Sequence, residues 1–514
     1  LTTEGVFGVP LGVSVSFIYL FVLFGSLLER AGAGQYFINL AFALLGKFRG
    51  GPAKASVIAS GLTGMVSGSS TANVVTVGTF TIPLMKKAGL TSTKAGAIEV
   101  AAGVNGQLMP PIMGAAAFII AEFLGLSYTN VMIAAVIPAF VCYLSLFFIV
   151  HLESCKLGLK GMEQGAGISK LKIFVSGLHY LIPILVLLYT LLVANESPIS
   201  AAFNAICVLF LIILFQEPVR KIAHGEDIGK EDFIIGFADI FWAMVTAAKS
   251  MTTIAIATGL AGIIVGSISL TGVGQVLSEV VENLAGNNIV LILFLTAIMS
   301  LILGMGLPTT ANYIVVSSLV APVILFLAHK NGFLIPAIAV HLFVFYFGIL
   351  ADDTPPVGIA AYAAAGIAKA NPVTVGVQGF FYDLRTTILP FSFVFNNKLL
   401  LIESVNAANP NDAKGIVWIT NPLEIALIFG TALVGMFAFS SALQGYFVKR
   451  VSMLERALLL CVVPLTLVPN MCAKYIPFIA NEYVSYAIGV SLYAALFAFQ
   501  WIQNKAEKRV SVGT

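Results

Sequence analysis

The chain has 514 residues, 59% of them hydrophobic and only 10% charged, with a formal net charge of +3. A soluble domain carries about 25% charged residues, so this composition excludes a soluble globular protein. The small, dispersed positive charge offers no basic patch or stripe of the kind that binds nucleic acid.

The apolar runs come in chain order as Val9 to Leu28, Asn130 to Val150, Ile173 to Val193, Ser197 to Phe215, Leu334 to Leu350 and Tyr475 to Trp501. Each approaches or exceeds the ~20 apolar residues that cross a ~30 Å hydrocarbon core as a helix. They predict an all-α polytopic membrane protein; a β-barrel would read as short alternating segments. The five cysteines form no CxxC pair and read as small core hydrophobes.

Between the first two runs lies "SGSSTAN", Ser67 to Asn73, flanked by apolar pieces. Ala53 to Ser67 would be about 22 Å long at ~1.5 Å per residue, too short to cross. The pieces are bounded outside by Lys47, Arg49 and Lys54 before and by Lys86 and Lys87 after. Basic flanks mark the cytoplasmic side, so the segment is expected to enter and return as a re-entrant hairpin over about 53–87. "NGQLMPPIMG", Asn105 to Gly114, then interrupts a helix over about 95–124, closing a first half at 1–215.

A polar linker is expected at 216–235, and a second half over 236–400. Its "GMGLPTTAN" (Gly304 to Asn312) repeats the first tip. With Thr71-Ala72-Asn73 set over Thr310-Ala311-Asn312, Pro83 falls on Pro322, ten residues beyond each asparagine. "ILADDTPPVG" (Ile349 to Gly358) repeats the Pro-Pro break. These predict a second hairpin over about 288–327 and a second broken helix over about 334–368. The second hairpin has acidic and amide flanks before it (Glu279, Glu282, Asn283, Asn287) and only His329 and Lys330 after, so its ends are expected on the opposite side. Inverted repeats with interrupted helices mark secondary transporters. Residues 401–514 open with a polar loop, "NAANPNDAKG", and read as accessory transmembrane helices.

Non-helical backbone at membrane depth must line a cavity or be covered by protein. Hydroxyls, amides and freed carbonyls there suit a hard cation such as Na⁺. One candidate ion site joins Ser67, Ser69, Ser70, Thr71 and Asn73 to the break at Gly103, Asn105, Gly106 and Pro110. The other joins Gly306, Thr309, Thr310 and Asn312 to Asp352, Thr354 and Pro355. The bland alternative is that these small residues only let helices pack closely.

Asp352 and Asp353 are adjacent carboxylates at the end of an apolar helix, and ionisable groups there mark ion or proton paths. Placement of Asp353 at the membrane surface, capping a helix, is the competing reading. Glu99 is expected either to face the cavity or to cap a short helix near Lys94. "FYDLR", Phe381 to Arg385, reads as a loop ion pair between Asp383 and Arg385. Neither GxxxxGK[ST] nor HExxH occurs, so ATP-driven transport and zinc proteolysis are not indicated. Two rivals to secondary transport stay open: a passive channel with two re-entrant loops, and an intramembrane enzyme using Asp352 and Asp353.

"RGGPAKASVIASGLTGMVSGSSTANVVTVGTFTIPLMKKAG", "GQLMPPIMGAAAFIIAEFLG" and "GMGLPTTANYIV", with "ADDTPPVGIAAYAAAGIA", resemble the membrane permease of tripartite ATP-independent periplasmic (TRAP) transporters. The resemblance runs from about Glu4 to Leu400 and is strongest to the TAXI type, whose small and large membrane subunits are fused. It implies an elevator-type importer in the inner (cytoplasmic) membrane, with Na⁺ as coupling ion and no other cofactor. Organic carboxylates would be delivered by a periplasmic TAXI-type substrate-binding protein. It also implies substrate contacts from Ser70, Asn73, Gln107, Thr310 and Asn312. The small-subunit helices of a fused chain would lie ahead of Leu1. Two departures stand out: Val104 and Asn105 replace smaller residues before Gln107, and Asp353 stands where an apolar residue is usual.

Overall fold

The computed structural model describes residues 5–161, 170–286, 288–307, 309–406 and 415–512. Among these, seven helices are long and apolar enough to cross a membrane, or up to nine if two bent pairs each count as one span. The all-α polytopic expectation holds.

The first hairpin consists of helices Gly51–Ser67 and Ser70–Lys87. Gly68 ends the first arm at φ +61°, a left-handed conformation that glycine adopts without steric cost. Ser69 starts the second arm by accepting the Ala72 N–H at 3.3 Å. The first broken helix follows as Ser92–Gly106 and Ala116–Leu124. Its counterparts in the second half are the hairpin Ile289–Gly304 and Thr309–Lys330 and the broken helix Ala337–Leu350 and Ile359–Ala368. Both Pro-Pro bonds, Pro110–Pro111 and Pro355–Pro356, are cis.

The arms are longer than their apolar stretches suggest, at 17, 18, 16 and 22 residues. Helix continues through the basic ends, where Lys86 reaches the Ala368 carbonyl at 2.7 Å. The expected linker at 216–235 is mostly helical as well: helix Pro198–His224 runs into it and Lys230–Thr271 starts within it. Lys221 and Asp232 join these two helices by a 2.7 Å ion pair across the short turn.

Helices Val9–Ala31, Pro198–His224 and Lys230–Thr271 pack on one another and form a frame beside the two hairpins. Pro372–Phe395 then crosses both broken helices. The C-terminal set is Pro422–Gln444, the bent pair Met453–Leu467 and Pro469–Tyr475, and Glu482–Val512. It leans on the rest through Tyr128–Lys156. A two-stranded ribbon, Ile402–Ser404 with Val417–Trp418, was not expected; most of the polar loop that it flanks, 407–414, lies outside the described residues.

Candidate functional site

A cavity of about 450 Å³ lies where the hairpins meet the frame. Ser67, Ser69, Ser70 and Thr71 of the first tip line it, together with Thr309, Thr310 and Asp352 of the second half. Glu29, Thr246, Ser250 and Thr253 of the frame close the opposite wall. The two halves bond directly here: Ser70 Oγ donates to Asp352 Oδ2 at 2.6 Å, with Asp352 only 5% exposed.

Helix polarity follows from the hairpin turns. Both exit arms, Ser70–Lys87 and Thr309–Lys330, begin at the cavity, so their N-terminal ends face it. Such ends carry partial positive charge and unpaired N–H groups. Among the described residues, the wall contains no Lys or Arg.

Close backbone approach explains the glycines. A Cβ on Gly68 would fall 2.6 Å from Gly114 Cα, so tip and break touch main chain to main chain. A Cβ on Gly106 would fall 2.8 Å from Gly64 Cα, which holds the first break against the hairpin's entering arm.

The two repeated asparagines occupy equivalent places. Asn73 Nδ2 donates to the Ser60 carbonyl at 3.1 Å, between Gly64 and Gly103. Asn312 Nδ2 donates to the Gly348 carbonyl at 2.5 Å, between Gly304 and Gly348. Both side chains are 0% exposed, and each leaves its Oδ1 without a hydrogen-bond partner among the described residues. A buried amide oxygen left without a donor is costly, and a hard cation would satisfy it.

Several sequence-based assignments need correction. Asn73, Gln107 and Asn312 are fully buried behind the cavity wall, whereas Ser70 and Thr310 lie on it. Asn105 turns away from the first hairpin: its Nδ2 donates to Asp383 Oδ1 at 2.7 Å, while Gly103 and Gly106 face the hairpin. Thr354 bonds back to the Leu350 carbonyl at 2.5 Å, and Gly306 takes φ +80° in the second tip. Pro110 and Pro355 are only partly buried and shape the two breaks.

Asp353 is not at a surface; it is 0% exposed and faces Asp383 rather than the cavity. The adjacent aspartates therefore serve different surroundings. Asp383 and Arg385 are not in a loop. They sit within helix Pro372–Phe395, both 0% exposed, with Arg385 Nη2 at 2.9 Å from Asp383 Oδ1. Glu99 neither faces the cavity nor meets Lys94, which pairs with Glu153. The sequence did carry one signal for the Asp383 helix, the Asn371-Pro372 start, where Asn371 Oδ1 accepts from Val373 N at 2.9 Å.

Two related hairpin-and-break units, meeting over one polar cavity in a polytopic helical protein, have the build of a secondary solute transporter. The sequence model described as "Tripartite ATP-independent periplasmic transporter, DctM component" matches residues 4–408, and the chain belongs to that family. Residues 425–491 match a domain of unknown function. The chain is similar to the 2,3-diketo-L-gulonate TRAP transporter large permease of Escherichia coli, at 21% identity over 76% of this chain and 86% of that protein. It is 23% identical to the isethionate TRAP transporter permease of Oleidesulfovibrio alaskensis over 69% of this chain and 52% of that one. A C4-dicarboxylate TRAP large permease of Vibrio cholerae matches at 31% over 27% of this chain and 30% of its own.

Proposed function

We propose that this permease imports a small organic anion, a carboxylate in the first instance, by Na⁺ symport. The solute is delivered by a periplasmic binding protein of the TAXI type, and the small-subunit helices complete the membrane part. The observation that carries this reading is the Ser70–Asp352 bond on the wall of a cavity shared by both repeated tips. With no Lys or Arg among the described wall residues, an anion there is met by hydroxyls and by the N-terminal ends of the two exit arms. The Oδ1 atoms of Asn73 and Asn312, just behind those ends, hold the two cations. Bound Na⁺ offsets the solute's charge in a region of low dielectric, which links the two binding events.

Both hairpins and both broken helices move together as an elevator against the frame of Val9–Ala31, Pro198–His224 and Lys230–Thr271, carrying the cavity across the inner membrane. The hairpins are re-entrant and inverted in this reading, as their charged flanks require. The related permeases named for 2,3-diketo-L-gulonate, isethionate and C4-dicarboxylates all handle small organic anions, which supports the solute class.

The test starts from the cognate binding protein, whose ligand is identified by mass spectrometry. Uptake of that ligand is then measured in proteoliposomes holding the permease with its small-subunit helices. Uptake is expected only when the loaded binding protein is present. Equal downhill flux without it would turn the assignment toward a passive channel.

A further inference from the structure

The helix face that turns Gly103 and Gly106 toward the first hairpin also carries Glu99, one turn earlier. Its carboxyl group is 0% exposed and enclosed by both hairpin arms. Ser56 Oγ donates to Oε2 at 2.5 Å and Ser60 Oγ to Oε1 at 2.5 Å. Thr81 Oγ1 lies 2.5 Å from Oε2 and also 3.1 Å from the Val77 carbonyl.

A threonine hydroxyl has one hydrogen, so Thr81 cannot donate fully to both. When it makes the back-bond to Val77, common for Thr in helices, its oxygen can only accept from Glu99, and Oε2 must bring the hydrogen. The opposite assignment leaves a buried anion, and among the described residues no cation faces it. Lys54 is turned to His151 at 3.0 Å, Lys86 to the Ala368 carbonyl at 2.7 Å, and Lys94 to Glu153. Arg385 is engaged by Asp383, and the hydroxyl of Tyr143 donates to the Ala102 carbonyl at 2.6 Å. Helix Ile359–Ala368, packed on the same side, has no charged side chain.

We propose that Glu99 is a proton-binding site, a carboxylic acid that donates from Oε2 to Thr81 while its oxygens accept from Ser56 and Ser60. Every hydrogen is then used once, and three helices are tied together at the root of the first hairpin. Loss of the proton turns the Thr81 hydroxyl to donate to the carboxylate, gives up its bond to the Val77 carbonyl and leaves a buried anion between the two arms. None of the four residues lines the cavity, so the site does not depend on which solute the cavity carries.

The test uses the purified full chain in detergent, with glutamate ¹³C-labelled for infrared spectroscopy. At neutral pH a label-sensitive carboxylic C=O band is expected; it disappears in Glu99→Gln and moves to higher frequency in Thr81→Ala, where the hydrogen has lost its acceptor. Thermal unfolding supplies the linked result. The folded chain holds a proton that an unfolded glutamate, with its ordinary value of about 4.3, has released. The folding equilibrium of wild type should therefore fall up to about tenfold more per pH unit, on raising the pH, than that of Glu99→Gln. Absence of a Glu99-dependent carboxylic C=O band overturns the proposal. So does a rise in Tm with Na⁺, but not K⁺, that is lost in Glu99→Gln, which would make the pocket a sodium site. Should Glu99→Gln fail to fold, the band shift in Thr81→Ala decides the matter.

Discussion

Replacing Arg385 with methionine is expected to destabilise the protein by about 3–5 kcal/mol, the range for breaking a buried ion pair from one side. The guanidinium is 0% exposed and supports two helices at once. Its Nη2 meets Asp383 Oδ1 at 2.9 Å, and its Nη1 donates to the Cys142 carbonyl at 2.7 Å. Methionine keeps much of the volume but leaves the buried Asp383 carboxylate without its cation. Adding Asp383→Asn removes the stranded charge, while the new amide oxygen still accepts from Asn105 Nδ2. The double variant should recover at least about half of the loss, because neutral replacement of a buried pair is often close to neutral in stability. Thermal or denaturant unfolding in detergent measures both. A single variant within about 0.5 kcal/mol of wild type, the range of ordinary surface substitutions, would show that Arg385 is dispensable.

The second large effect concerns transport. Asn73→Ala and Asn312→Ala are each expected to cut Na⁺-dependent uptake at least about tenfold while the protein still folds. Each change removes an amide that donates one or two hydrogen bonds to buried carbonyls, a loss of about 1 kcal/mol per bond. Each also removes an Oδ1 that has no donor among the described residues, which offsets part of that cost. Stability without Na⁺ should thus change little, whereas the rise in Tm on adding Na⁺ should shrink, since a bound ion stabilises only the state that binds it. Unchanged uptake and an unchanged Na⁺ effect in both variants would free the two asparagines of any ion-binding role.

The tips and breaks were legible because they recur. A single polar run in an apolar chain reads equally well as close packing, but two runs with matching Pro and Pro-Pro positions do not arise easily from packing alone. What failed was helical phase. Asn105 stands two residues from Gly103, a rotation of roughly 200° on an α-helix, so it points away when the glycines point toward the hairpin. Glu99 stands four residues from Gly103, back on the glycine face within roughly 40°, and phase alone would have placed it against the hairpin. Asp383 and Arg385 were missed for a different reason. Two charges beside aromatics look like a solvated turn until the helix that contains them is seen to pass between both broken helices. The charged segment around 216–235 is likewise mostly helical, with Glu226 and Asp227 in a short turn across which Lys221 and Asp232 pair.

One measurement bears most directly on the claim that the joined tips couple an ion to a solute. In proteoliposomes with the small-subunit helices and the loaded binding protein, an inward Na⁺ gradient should drive accumulation of the solute above its outside concentration, and replacing Na⁺ with K⁺ should abolish it. Equal accumulation in K⁺ would contradict the account.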